Sequence, residues 1–270
     1  MGYIMEIEEL ERLREWFASY CRSFITENEA DNRNYLVKEI HTRHVCENMA
    51  LLTGSIGLPE GDRLTAEAIA LFHDVGRFEQ YRRFSTFRDD ISVNHGALGG
   101  QVLHENRVLE GLPAEERRSI LHGVTLHNVY RLPAELNERD MLYARLIRDA
   151  DKLDIWRIFV EYDGLPNPER ASAVGLDLPD LPECSPEVLE SLERRELVRL
   201  ATVKSLNDFK LLQLSWVFDL NFPASFRLAL ERGLIKGLAA TLPADRSVTK
   251  ALGIISDYAA GRAAQGDAHA

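Results

Sequence analysis

The chain has 270 residues, enough to bury the core of one large domain or two small ones. Its 43 acidic residues outnumber 32 basic ones, giving a formal net charge of −11. That balance argues against a general nucleic-acid binder, so we expect no nucleic-acid duplex as a partner. With 45% hydrophobic and 28% charged residues the composition is that of a globular protein, and no apolar run approaches the roughly 18 residues of a membrane span.

The cysteines and the first residues predict a compartment. Cys21, Cys46 and Cys184 are far apart, odd in number and form no C-x-x-C motif. The first residues are acidic and lack the basic-then-apolar layout of a signal peptide. Both features favour a reducing, cytoplasmic location.

Helical patterns dominate the chain and predict an all-α fold. Gly76 is expected as the C-cap of one helix, and Asn94 as the N-cap of another. Alternating stretches of strand length joined by hairpin turns are not evident. The predicted helices of the first part cover 5–28, 33–53, 64–75, 95–110, 113–128 and Asn137 to about Tyr162.

We expect one domain, 1–270, with a C-terminal helical extension. Its core would span 33–162, and a proline-rich loop would follow at 163–186, which holds five of the ten prolines. Helices over 187–260 would then pack back on the core.

Several polar side chains fall on apolar stripes of separate predicted helices. They are His41, His73, His95, His127 and Asp151. A carboxylate on an apolar stripe is costly unless its charge is compensated, and a cation bound with imidazoles from neighbouring helices would compensate it. Mixed nitrogen and carboxylate ligands favour a first-row transition metal over calcium. Taken alone, a histidine on an apolar helix face is more often a hydrogen-bonded core residue than a metal ligand, but five such positions in order along one chain favour a shared site.

Three motifs resemble one family. LFHDVGRF at 71–78 is similar to the H-D-x-G-K/R signature of the HD-domain superfamily of metal-dependent phosphohydrolases. HTRHVCENM at 41–49 resembles that family's first helix, and RDADKLDIW at 148–156 resembles its closing A-D-K-L-D motif. The resemblance covers roughly 33–160 and implies an HD-type helical bundle as the core.

The resemblance implies a metal site. It assigns His41, His73, Asp74 and Asp151 to a first metal ion. His95 in SVNHGALGG and His127 in TLHNVYRLP are similar to the extra histidines of HD subfamilies with two metals, in which Asp74 would bridge the pair. The cofactor would be one or two divalent ions of Mn, Fe, Co, Ni or Zn, with Mg as an alternative.

The other histidines and acids of these segments are given no ligand role. His122 lies about 140° round the helix from His127, so the two cannot share a site. His44 is expected near the site or on the surface, Asp149 is expected to be structural, and His104 and His269 are expected at the surface.

Positive charge for a phosphate lies close to these motifs. Arg77 occupies the basic position of the HD signature, and Arg82 and Arg83 follow it, interleaved with aromatic residues that could stack on a base. Lys152 adjoins Asp151. We expect these four residues to bind substrate, and we assign catalytic roles to Arg77 and Lys152 together with His73 and Asp74. For any single arginine taken alone, a solvated, salt-bridged loop is the better explanation.

The expected activity is hydrolysis of a phosphomonoester or phosphodiester bond by metal-bound hydroxide. The substrate would be a nucleotide or a related small phosphorylated molecule. Two alternatives stay open: an HD-fold di-iron oxygenase built on the same six ligands, and a non-catalytic nucleotide-binding module. A homo-oligomer is possible.

Overall fold

A computed structural model describes residues 5–162 and 178–266. Those residues form α-helices and short 3₁₀ turns without a strand, as the all-α prediction requires. None of the helices in these ranges is both long and apolar enough to cross a membrane. The helices are α1 (Ile7–Arg22), α2 (Glu29–Ser55), α3 (Glu60–Phe72), α4 (Val75–Phe84), α5 (His95–Glu105), α6 (Ala114–Leu126), α7 (Glu138–Tyr162), α8 (Pro186–Glu193), α9 (Leu206–Ser215), α10 (Pro223–Glu231), α11 (Leu234–Ala239) and α12 (Arg246–Ala263).

The chain divides into two compact units, Met1–Asp151 and Lys152–Ala270. The boundary falls inside α7, so this helix belongs to both units. The prediction of a single domain with its C-terminal helices packed on the core stays a prediction. The three motifs of the sequence analysis lie in the first unit, apart from the last residues of the third.

The connection between α1 and α2 differs from the one predicted. A helix was expected over 5–28 and another from residue 33, whereas α1 ends at Arg22 and α2 already begins at Glu29. The reason is the side chain of Asn28, whose Oδ1 accepts hydrogen bonds from the backbone N–H groups of Ala30 and Asp31. A side-chain oxygen in that position satisfies donors that the first helical turn leaves without partners.

Gly76 is not the C-cap that its position suggested. The helix expected over 64–75 is α3, which ends at Phe72, and Gly76 is the second residue of the next helix, α4. Its missing side chain serves packing, because a Cβ atom at this position would lie 2.2 Å from the carbonyl oxygen of His95 and 2.6 Å from the amide nitrogen of Gly99. Glycine therefore lets α4 and α5 approach to backbone contact.

The remaining helices of the first unit begin close to where the sequence predicts. Asn94 caps α5 through its Oδ1, which accepts from the N–H of Ala97 at 2.9 Å. This helix ends at Glu105 and not at 110. Arg107, just beyond it, has a φ of 53°, and an α-helix cannot continue through a residue with a positive φ. Asn137 caps the start of α7, accepting from the N–H of Asp140 at 2.8 Å.

The second unit has its own hydrophobic core. Trp156 and Phe226 are fully buried in it, and the indole N–H of Trp156 donates to the carbonyl of Gln213 at 3.0 Å. Helices α8 to α12 account for the helical pattern expected over 187–260. Of the proline-rich loop expected at 163–186, residues 163–177 lie outside the described residues, and 178–185 lead without a helix into α8.

Candidate metal centre

Six side chains from different helices converge inside the first unit. Four of them stand at helix ends: His73 follows α3, Asp74 precedes α4, His95 begins α5 and His127 follows α6. The other two project from within helices, His41 from α2 and Asp151 from α7. The ligand atoms form two groups of three that could each hold a metal ion.

The first group consists of His41, His73 and Asp151. The Nε2 atom of His41 lies 3.1 Å from His73 Nε2 and 3.1 Å from Asp151 Oδ1. His73 Nε2 is 3.7 Å from the same carboxylate oxygen. Three ligand atoms at these separations can reach one ion.

The second group consists of Asp74, His95 and His127. The two imidazole Nε2 atoms lie 2.9 Å apart. Asp74 Oδ1 is 3.3 Å from His95 Nε2 and 3.8 Å from His127 Nε2.

Asp74 faces both groups. Its Oδ1 is directed at His95 and His127, while its Oδ2 lies 3.6 Å from His41 Nε2 and 3.8 Å from His73 Nε2. Asp74 thus directs one carboxylate oxygen at each group and could supply a ligand atom to both.

Helix ends orient two of the imidazoles. His73 Nδ1 donates to the carbonyl of Ala70 at 2.7 Å, and His127 Nδ1 donates to the carbonyl of Val124 at 2.8 Å. In each case the acceptor is three residues back, among the last carbonyls of a helix, which have no partner within the helix itself. The bond places the proton on Nδ1 and leaves the lone pair of Nε2 directed at the site.

His95 is oriented by a carboxylate that the sequence analysis did not single out. Its Nδ1 donates to Asp89 Oδ2 at 2.7 Å. The other oxygen of Asp89 accepts from Arg77 Nη1 and from the amide of Gln80, both at 2.9 Å. Burial would raise the pKa of Asp89, but the hydrogen bond from His95 and the charge of Arg77 hold it below its ordinary value.

Burial keeps two of the histidines neutral near pH 7. It lowers the pKa of His73 to about 4, and together with the charge of Arg77 it lowers the pKa of His95 to about 3. Burial would raise the pKa of both aspartates, but Lys38 holds that of Asp74 well below its ordinary value and His41 does the same for Asp151. Neutral imidazoles and ionised carboxylates are the forms that bind a metal.

The donor set fits divalent cations. Since Nδ1 carries the proton in both His95 and His127, two lone pairs face each other across 2.9 Å, where neither nitrogen can donate to the other. A cation shared by these nitrogens and Asp74 would turn this repulsion into coordination. Two imidazoles and a carboxylate in each group suit first-row transition metals.

Lys38 is a contact of the site that the sequence analysis missed. Its ammonium group lies 2.9 Å from Asp74 Oδ2. Because Lys38 precedes His41 by three residues in α2, the two side chains lie on neighbouring positions of one helix face. That spacing is the signal that could have identified it.

Of the four basic residues predicted to bind substrate, Arg77 lies beside the ligand groups, and the other three form ion pairs elsewhere. Arg77 Nε lies 3.4 Å from Asp74 Oδ1, at the centre itself. Arg82 and Arg83 both form ion pairs with Glu79, which engages their charge away from the ligand groups. Lys152 belongs to the second unit, where its Nζ lies 2.5 Å from Asp219 Oδ2. Substrate binding by Arg82, Arg83 and Lys152 stays a prediction, and these pairings weigh against it.

The remaining histidines and Asp149 belong to neither group of ligands. His44 pairs with Glu47 at 3.1 Å, and His122 pairs with Asp140 at 2.8 Å. His104 is exposed, and Asp149 is fully buried. His269 lies outside the described residues.

Part of the chain is similar to a known protein family. The family model of the HD domain matches residues 39–156, a range that contains all six ligand candidates. Neither the curated proteins nor the solved structures gave a match.

Proposed function

Residues 39–156 of this chain form an HD domain, and from this premise we propose that it is a metal-dependent phosphohydrolase. The bond hydrolysed would be a phosphomonoester or phosphodiester of a nucleotide or a related small molecule. The observation that carries the proposal is the position of Asp74, with one carboxylate oxygen towards each group of ligands. Two ions held about 3.5–4 Å apart are a recurrent arrangement in enzymes that displace groups at phosphorus.

The cations would supply the chemistry that the side chains alone lack. Bound divalent ions lower the pKa of coordinated water and stabilise the negative charge that develops on phosphoryl oxygens. His41, His73 and Asp151 would hold one ion, His95 and His127 the other, and Asp74 would contact both.

Arg77 supports a substrate that carries phosphate. Its Nη1 is held by the carbonyl of Phe87 at 2.5 Å and by Asp89 at 2.9 Å, which fixes the plane of the guanidinium group beside Asp74. A fixed guanidinium presents donors in the geometry that phosphate oxygens accept. Arg77 would bind and orient the phosphoryl group next to the ions.

The six ligands alone would serve a di-iron oxygenase equally well. The cationic side chains at Asp74 favour the hydrolase, because an anionic substrate needs compensating charge and oxygen activation does not. A purely binding module would not require both groups of ligands, and both are complete in this chain.

The test is a screen of purified protein, prepared without added metal and then loaded separately with Mn²⁺, Co²⁺, Ni²⁺ or Mg²⁺, against nucleoside phosphates. We expect phosphate release by the wild type, and a loss of more than about 100-fold in His73→Ala and Asp74→Ala. His104→Ala, at an exposed position outside the site, is the matched control and should retain activity. Full activity in either ligand variant, or bound iron with oxygen consumption and no phosphate release, would contradict the proposal.

A further inference from the structure

Lys38 and Arg77 place one cation at each oxygen of Asp74. Lys38 Nζ lies 2.9 Å from Oδ2, and Arg77 Nε lies 3.4 Å from Oδ1. The two cations come from different helices, α2 and α4, so their meeting at one carboxylate is a property of the fold.

These cations belong to the part of the centre that solvent can reach. The side chains of the four histidines and Asp74 are at most 5% exposed, whereas Lys38 is 13% and Arg77 16% exposed. Asp151, at 16%, is the other exposed member. An anion that enters the centre from solvent therefore meets Lys38 and Arg77.

Phe87 is a shared neighbour of both cations. Lys38 Nζ lies 5.4 Å from the centroid of its ring and the Arg77 guanidinium carbon 6.0 Å from it. The ring is buried and faces the two cations. Contact with an aromatic ring stabilises a partly desolvated cation, and the ring restricts where each cation can move.

Both cations keep donors for a ligand. A lysine ammonium has three N–H groups, and among residues 5–162 and 178–266 Asp74 is the one hydrogen-bond acceptor that Lys38 contacts. Arg77 makes its hydrogen bonds there through Nη1. Its Nη2 group is a further donor on the same plane.

We propose that Lys38, together with Arg77, binds the terminal oxygens of a phosphomonoester, and that Lys38 thereby sets a preference for monoesters over diesters. The proposal rests on the proposed function and names its substrate class. A phosphomonoester carries about −1.5 to −2 charges at pH 7 and three oxygens that accept hydrogen bonds. A phosphodiester carries a single charge and two such oxygens, so it gains less from a second cation.

A merely positional role makes a different prediction. If Lys38 only holds Asp74 in place, its loss should weaken metal binding and affect monoester and diester alike. If it binds the monoester, its loss should leave the metal content unchanged and affect the two ligands unequally.

The experiment measures binding by calorimetry to metal-loaded protein, with inorganic phosphate and dimethyl phosphate as probes. The variants are Lys38→Met, which keeps the length of the side chain without its charge, and Lys38→Arg, which keeps the charge. Lys204→Met, at an exposed position of the second unit, is the control. Metal content is determined for every sample before titration.

We expect Lys38→Met to retain its metal and bind phosphate about 10- to 100-fold more weakly, with dimethyl phosphate affinity changed less than about threefold. Lys38→Arg should restore most of the affinity for phosphate. Unchanged phosphate binding in Lys38→Met, equal losses for both probes, metal loss in Lys38→Met, or no phosphate binding by the wild type would overturn the proposal. Phosphate binding that depends on Lys38, without phosphatase activity, would support the recognition site and contradict the hydrolase assignment.

Discussion

Gly76 and His95 are in contact through their backbones: a Cβ atom on residue 76 would lie 2.2 Å from the carbonyl oxygen of His95. His95 is the first residue of α5 and its imidazole belongs to the second group of ligands. The absence of a side chain two residues after Asp74 thus determines how close His95 comes to that carboxylate.

Gly76→Ala should therefore separate α4 from α5 and displace His95. Backbone atoms cannot move aside as a flexible side chain can, so we expect a loss of about 1–3 kcal/mol in the free energy of unfolding. We also expect weaker binding of the ion held by Asp74, His95 and His127. Thermal unfolding and metal analysis measure the two effects.

Gly54→Ala is the matched control for this change. Gly54 lies in α2, and a Cβ atom there would have no neighbour within 4 Å. This variant should be neutral or more stable, since alanine is preferred over glycine in a helix. A Gly76→Ala protein that keeps wild-type stability and metal content would show that the contact between α4 and α5 does not position His95.

The buried His73 predicts how the stability of the metal-free protein depends on pH. Its pKa is about 4 in the folded chain, against an ordinary value of 6.5, so between these pH values the unfolded chain binds a proton that the folded chain does not. The free energy of unfolding should fall as pH drops from 6.5 to 4, by about 1.4 kcal/mol per pH unit for each such group. Chemical denaturation in the presence of a chelator measures this slope.

Substitution of His73 should flatten the slope. In His73→Gln the contribution of one group disappears, whereas His104→Gln, at an exposed position, should leave the curve unchanged. A slope that is identical in His73→Gln and wild type between pH 4 and 6.5 would show that His73 is not held neutral by burial.

Asp140 should stabilise the start of α7. Its carboxylate accepts from Ser119 Oγ at 2.6 Å and from His122 Nδ1 at 2.8 Å. Burial would raise its pKa, but these hydrogen bonds hold the pKa below its ordinary value of 3.8. The resulting stabilisation is therefore present above about pH 4 and is lost as pH falls through the lower, folded-state pKa.

Asp140→Asn should lower the free energy of unfolding by about 1–3 kcal/mol at pH 7. The difference from wild type should shrink as the pH falls below 4, where the wild-type carboxyl group takes up its proton. Urea denaturation of both proteins at pH 7 and pH 3 measures it. A difference of equal size at both pH values would mean that the charge of Asp140 contributes nothing.

Much of the candidate site was predictable because its residues occur in recognisable local patterns. His41 and Asp151 interrupt apolar helix faces, and His73 with Asp74 forms a dipeptide in a family motif. His95 and His127 were expected as second ligands, and the structure places them 2.9 Å apart. Helix geometry predicted that His122 and His127 do not share one site, and the apolar stripe together with the family resemblance favoured His127; His122 pairs with Asp140.

The residues that were missed depend on tertiary contacts. Lys38 and Asp89 are ordinary charged residues in sequence. Lys38 reaches Asp74 because α2 lies against α4, and Asp89 reaches His95 from the connection between α4 and α5. Helix α4 was not predicted either, because its buried side chains, such as Phe78, are defined by neighbours on other helices. Gly76 was misassigned for the same reason: a glycine after a helical pattern is typical of a C-cap, and its real role needs knowledge of α5.

The number of metal ions bound by single-ligand variants is the decisive test of the metal centre. Wild-type protein, stripped by chelator and titrated with Mn²⁺ or Co²⁺, should bind two ions per chain. His41→Ala and His127→Ala should each retain one, and Asp74→Ala should bind both ions poorly because its carboxylate faces both groups. Wild-type protein that binds no divalent ion, or variants of these three residues that bind two ions as tightly as wild type, would contradict the metal centre.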